Sequence, residues 1–132
     1  MPSIIITGAG SGVGRATAHA FIKAGWQVGL VGRREETLMQ TAGTAEALVL
    51  PCDVTDETQV DQAFAKGGQH WGRVGALFNH AGVGLAGAPL DELAVSDIRT
   101  LMDVNIMGSI IAARAAFAQM RAQDPQGGRI IN

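Results

Sequence analysis

The residues best suited to chemistry stand near the amino terminus, where Thr7-Gly8-Ala9-Gly10-Ser11-Gly12-Val13-Gly14 spaces its glycines as GxxxGxG. A pyrophosphate bound at a strand-to-helix turn needs backbone N–H groups and the positive helix end, so the chain crossing it must lack Cβ atoms. This octapeptide follows a β-branched run and opens a helical pattern, which is the order such a site requires. Gly8, Ser11, Gly12, Val13 and Gly14 are therefore candidate contacts for a dinucleotide. The second candidate lies at Gly32-Arg33-Arg34, where a site for NAD would carry a carboxylate to accept the ribose hydroxyls. A guanidinium there can clamp a 2′-phosphate through charge-assisted bonds, which favours NADP over NAD. The plainer alternative is a pair of solvated arginines opening a helix, and it weighs more heavily on Arg34 than on Arg33.

Elements that alternate along the chain must hold these residues. Ser3 to Thr7 is short and almost wholly apolar, as suits a strand buried on both faces. From Gly12, Val13, Ala16, Ala20, Phe21 and Ala24 fall at helical spacing until Gly25. Gln27 to Val31 and Ala47 to Leu50 repeat the strand pattern on either side of a short helix over Glu35 to Thr44. Thr55-Asp56-Glu57 then supplies an N-cap and first-turn acids for a helix reaching about Gln69. Ala76 to Phe78 is a fourth strand and Arg129 to Ile131 the start of a fifth. Alternation at this spacing predicts right-handed βαβ crossovers and a parallel sheet covered on both faces. The segment Val95 to Gln123 carries two apolar stripes: Ile98, Met102, Ile106, Ile110, Ala113, Phe117 and Met120 form one, and Leu101, Val104, Ile111 and Ala115 the other. One stripe is expected on the sheet, the other against a second subunit or further chain.

Composition narrows the remaining choices. A chain of 132 residues sets a prior of one domain, here spanning 1–132, and its formal charge of -2 comes without a run of like charge. No nucleic-acid or membrane partner is therefore expected. The amino terminus shows neither a basic leader nor an apolar stretch near membrane-spanning length. Cys52 is the single cysteine, with no internal disulfide partner and no metal-ligand cluster beside it, so a reducing cytoplasm and no bound metal are expected. His19 and His70 also lack partners at catalytic spacing and read as structural.

The loop Thr7 to Gly14, taken with Asn79-His80-Ala81-Gly82, closely resembles the short-chain dehydrogenases/reductases. Asp53-Val54 after the third strand and Asn105 in the long helix occur in that family's order, so the likeness spans the whole chain. The resemblance implies a three-layer α/β/α Rossmann-type fold with strand order 3-2-1-4-5, interrupted in or just after strand 5. It also implies hydride transfer between a ketone and a secondary alcohol, and assembly as a homodimer or homotetramer through the long helix. Asp53 would then bond the adenine amino group with Val54 behind it, Ser11 and Val13 would meet ribose or phosphate, and Asn79, Ala81 and Gly82 would line the nicotinamide side. Asn105 would hold a water serving a proton relay. His80 departs from the family's commoner asparagine, and the departure reads as harmless because the backbone does most of that turn's work. Each role has a bland counterpart: a helix-capping aspartate at Asp53, a loop-stitching amide at Asn79, and a satisfied core amide at Asn105.

The family completes its site with a serine beyond the fifth strand and a Tyr-x-x-x-Lys segment, whereas this sequence contains no tyrosine and stops at Asn132. The expectation is a cofactor-binding portion of a longer oxidoreductase, inactive by itself. Two other classes stay in view: a non-catalytic nucleotide-binding or interaction protein, and a methyltransferase-like domain whose Gly8-Ala9-Gly10-Ser11-Gly12 cradles S-adenosylmethionine. The cation at Arg33 disfavours the latter, since that ligand's ribose also asks for a carboxylate.

Overall fold

The computed structural model describes residues 1–132, folded as five parallel strands in the order β3-β2-β1-β4-β5. Strand β1 is Ser3–Thr7, and helix α1, Gly12–Lys23, follows it. Next come β2 (Gln27–Gly32), α2 (Glu35–Ala42) and β3 (Leu48–Pro51). Helix α3 (Glu57–Trp71) leads to β4 (Ala76–Phe78), and β5 is Arg129–Ile131. Every residue of β1 is buried, and its side chains alternate between two cores. Ile4 and Ile6 join Ala18, Leu30 and Leu38 beneath α1 and α2. Ile5 joins Leu77, Val60, Phe64 and Ala116 beneath α3 and the long helix. A strand with helices on both faces must be apolar on both sides, which is why Ile4-Ile5-Ile6 can run without a polar residue.

Helix ends differ from the sequence reading by a residue or two, for local reasons. Helix α2 stops at Ala42 because Gly43 takes a positive φ of 58°. Helix α3 runs to Trp71 and ends on a left-handed Gly72. Its N-cap is Asp56, whose carboxylate accepts the Gln59 N–H at 3.0 Å.

The long segment departs more instructively. Val95–Ala122 is one continuous helix of 28 residues. It divides into α4 (Val95–Met102), a wide π-helical turn (Asp103–Gly108) and α5 (Ser109–Ala122). The stripe of Val104, Ile111 and Ala115 faces the sheet, while Met102, Ile106, Ile110 and Phe117 are exposed. Met120, grouped with the outward stripe by spacing, is buried where the chain returns through Gly128. By length and composition alone this helix could cross a membrane, but its inner face packs on the sheet and on α3. Its hydropathy reflects two apolar faces on one helix.

Candidate functional site: a cleft at the strand ends

The carboxyl ends of β1, β2 and β3 surround a cleft of about 240 Å³. Open parallel sheets place ligands at this end, where strand order reverses between β1 and β4. Gly8, Gly10 and Ser11 form one wall; Arg33, Arg34 and Thr37 a second; Asp53 and Val54 a third; and Ala81, Gly82 and Val83 the fourth.

The glycines of the loop serve three different needs. Gly8 and Gly12 have φ of 68° and 54°, which side chains rarely tolerate. Gly10 lets α2 approach, since a Cβ there would stand 2.5 Å from the Thr37 hydroxyl. Gly14 is buried, and its Cβ would overlap the Gly8 carbonyl. Ser11 caps α1 through an extended backbone with no side-chain bond, and the first turn has no acidic residue. The Arg15 N–H bonds the Ser11 carbonyl, whereas N–H groups before it have no carbonyl a turn earlier. Together with the helix dipole they make a corner of the kind that suits an anion. Gly12, Val13 and Gly14 belong to this corner but are absent from the cleft wall itself.

Arg33 and Arg34 diverge. Arg34 pairs with Glu36 at 2.8 Å on the surface, matching the solvated alternative. Arg33 belongs to neither of the molecule's ion pairs and stands close enough to Asp53 to help hold that carboxyl below its ordinary pKa. The larger cause is the Thr55 N–H, opposed by partial burial and aided by the Thr55 hydroxyl. One Asp53 oxygen, Oδ1, takes both Thr55 donors, at 3.0 and 2.8 Å. Asp53 is thus an ionised acceptor whose turn-forming role coexists with a place in the cleft wall. Cys52 beside it is 3% exposed. Burial, and then the Asp53 and Asp56 carboxylates, push its thiol up to about 11, so it is a packing residue and no nucleophile at neutral pH.

Asn79 sits beneath the cleft, outside its wall. Its amide donates to the Ser109 carbonyl at 2.8 Å and to Asn132 Oδ1 at 3.2 Å. The Thr7 hydroxyl accepts N–H bonds from His80 and Ala81, both at 2.9 Å, and points toward Asn79 Oδ1 at 3.4 Å. These bonds give Asn79 the loop-stitching role, which leaves a ligand role open, and Thr7 ties the His80–Ala81 backbone beside it. His80 projects outward and stacks on Phe78, with ring centroids 5.3 Å apart. Asn105, on the π-helical turn, accepts the Val83 N–H at 2.7 Å and donates to the Val83 carbonyl at 2.8 Å. Both ends of its amide are committed to the loop after β4, and its backbone carbonyl accepts the Ser109 hydroxyl.

Three contributors escaped the sequence reading. Thr7 was read only as a strand end opening the glycine loop, and Val83 was not singled out. Arg15, which donates to the Gly10 carbonyl and to Thr41 Oγ1, was not singled out either. The spacing of Arg15 from Gly10 was the available signal, but its targets are neutral oxygens that no charge pattern reveals. His19 is a structural residue, its Nε2 2.9 Å from the Thr41 carbonyl. No three His, Cys, Asp or Glu side chains gather as metal ligands.

A five-stranded parallel α/β sheet in this order, with a glycine loop at its switch point, defines a fold of the Rossmann type. The chain belongs to the short chain dehydrogenase family, whose model matches residues 2–132. It is 35% identical over 133 residues to sulfoacetaldehyde reductase 2 of Chromohalobacter salexigens, covering 98% of this chain and 52% of that protein. A short-chain type dehydrogenase/reductase from Mycobacterium marinum superposes with a TM-score of 0.91 at 28% identity, covering 98% of this chain and 53% of that one. A 3-ketoacyl-(acyl-carrier-protein) reductase from Brucella melitensis, solved with NADH, gives 0.87 at 29% identity, with 91% and 50% covered. The chain therefore spans about half the length of these relatives. Family membership removes the methyltransferase reading.

Proposed function

We propose that this chain is the cofactor-binding part of an NADP-dependent oxidoreductase that interconverts a ketone and a secondary alcohol. The observation that carries the cofactor choice is Arg33, a guanidinium without an ion-pair partner at the end of β2. The Brucella relative was solved with NADH, so the family's fold leaves the choice open, and Arg33 at this strand end is what supports NADP. A charge-assisted bond to a 2′-phosphate contributes about 1.5 to 3 kcal/mol, roughly tenfold to a hundredfold in affinity. Asp53 would accept from adenine, Ser11 and the α1 N-terminus would hold the pyrophosphate, and Ala81 with Gly82 would back the nicotinamide. Asn105 would act through the Val83 loop that it fixes.

The resemblance assigns general acid/base work at the carbonyl oxygen to a tyrosine, and none occurs in these residues. Lacking it, the 132-residue polypeptide alone would lose about 10² to 10⁴ in rate from that source and give no useful turnover. The exposed stripe of Met102, Ile106, Ile110 and Phe117 suits a homodimer or homotetramer contact. One buried free cysteine suits a reducing cytoplasm.

Calorimetric titration of the full-length protein with NADPH and NADH tests the reading. NADPH is expected to bind at least about tenfold more tightly. Equal affinities would overturn the NADP preference, and no binding of either would overturn the dinucleotide role.

A further inference from the structure

Resting on the NADP reading, we propose that Arg15 is a positioning residue for the cofactor's phosphates. It fixes the pyrophosphate loop against α2, the helix that opens just after Arg33, and so sets how strongly the 2′-phosphate is distinguished. Arg15 lies in the first turn of α1 and is half-buried. Its Nε donates to Thr41 Oγ1 at 3.0 Å, its Nη2 to the Gly10 carbonyl, and more distantly, at 3.4 Å, to the Thr37 carbonyl. It belongs to neither ion pair, so all of its bonds go to neutral oxygens. Withdrawing a guanidinium from water without a carboxylate is unfavourable unless its donors are well used. Here they bridge two walls of the cleft.

One wall is the glycine loop and the other is α2, which begins beside Arg33 and Arg34 and contributes Thr37 to the lining. The walls approach as closely as glycine permits, because a Cβ on Gly10 would meet the Thr37 hydroxyl. Thr41 closes the seam from the other side, its hydroxyl donating to the Ala9 carbonyl at 2.8 Å. In NADP the spacing between pyrophosphate and 2′-phosphate is limited by the adenosine that joins them. Both are held well only if loop and turn keep one separation. A planar, forked guanidinium can hold both sides at once, whereas a lysine ammonium on its flexible stem cannot reproduce that geometry. Loosening the seam therefore harms a ligand with phosphates on both walls more than a ligand with phosphates on the loop alone.

The test compares NADPH and NADH affinities of the full-length protein with those of Arg15→Met and Arg15→Lys, with thermal melts alongside. The NADPH-to-NADH preference is expected to fall about fivefold or more in Arg15→Met. In Arg15→Lys, which keeps the charge and loses the fork, it should fall at least about twofold. A brace that only stabilises the fold would lower the melting temperature and weaken both cofactors alike, and an unchanged preference in either variant overturns the proposal. Should Arg15→Met not fold, Arg15→Lys decides by the same criterion. A wild-type protein without NADPH preference would defeat the NADP reading, and this role with it, before any variant is compared.

Discussion

The glycine loop and the outward face of the long helix are both built largely of small and apolar residues, yet they place their unsatisfied groups differently. Around the loop, side chains stitch the chain to itself: Thr7 to the turn after β4, Thr41 to Ala9, Arg15 to Gly10. The first N–H groups of α1 are left without a carbonyl partner within this frame. On the long helix the inner face is finished, and the outer one shows Ile110 at 53% and Phe117 at 66% exposure with nothing over them. Free polar groups in a rigid frame suit a small charged ligand. Free apolar side chains in a row suit another protein surface.

The sharpest way to break this contrast is at Gly14. A side chain there must displace the Gly8 carbonyl, because α1 and the loop touch backbone to backbone. Gly14→Val is expected to weaken NADPH and NADH together by about a hundredfold or more, ~2.7 kcal/mol. Circular dichroism should still report the α/β fold, since apart from Ala9 the two cores are built outside the loop. Unchanged affinity by calorimetry would show that the loop is not the phosphate site.

Arg33→Ala is a smaller and more selective change. Arg33 is exposed and makes no ion pair, so stability should hold within about 0.5 kcal/mol. NADPH affinity is expected to fall about tenfold to a hundredfold while NADH affinity stays within about twofold. Equal loss for both would assign Arg33 to the shared part of the cofactor. Arg34→Ala, by contrast, removes a surface pair with Glu36 and should change either affinity little.

The sheet was legible because each strand is a short apolar run between turn residues, and β1, β4 and β5 match the sequence reading residue for residue. The glycine loop was legible for a related reason: its constraints are local and conformational. What escaped depended on distant partners. Asn79 was legible as a polar residue at a strand end, but not its amide partners, Ser109 and Asn132, which are 30 and 53 residues away. Asn105 was expected to need a partner, and nothing in its helix named Val83. The π-helical turn was invisible to periodicity, because apolar residues four apart fit a regular helix nearly as well. Its consequence is local crowding: Gly108 lies on this turn, and a Cβ there would come within 2.7 Å of the Val54 side chain.

The outward stripe offers the mildest change to stability and the clearest change in association. Ile110 and Phe117 touch little in the folded chain, so replacing both with serine removes apolar surface that already faces water. Stability should move by no more than about 0.5 kcal/mol per site. If the stripe is a contact between copies, the same pair of changes should shift the full-length protein toward monomer in sedimentation equilibrium while NADPH binding persists. An unchanged oligomeric mass would mean that this helix face does not hold copies together, and the contrast with the loop would then lose its second half. A large loss of stability in the monomer would instead mean that Ile110 and Phe117 pack against further chain of the same protein. The two apolar stripes fit either occupant, and the two readouts separate them because only contact between copies depends on protein concentration.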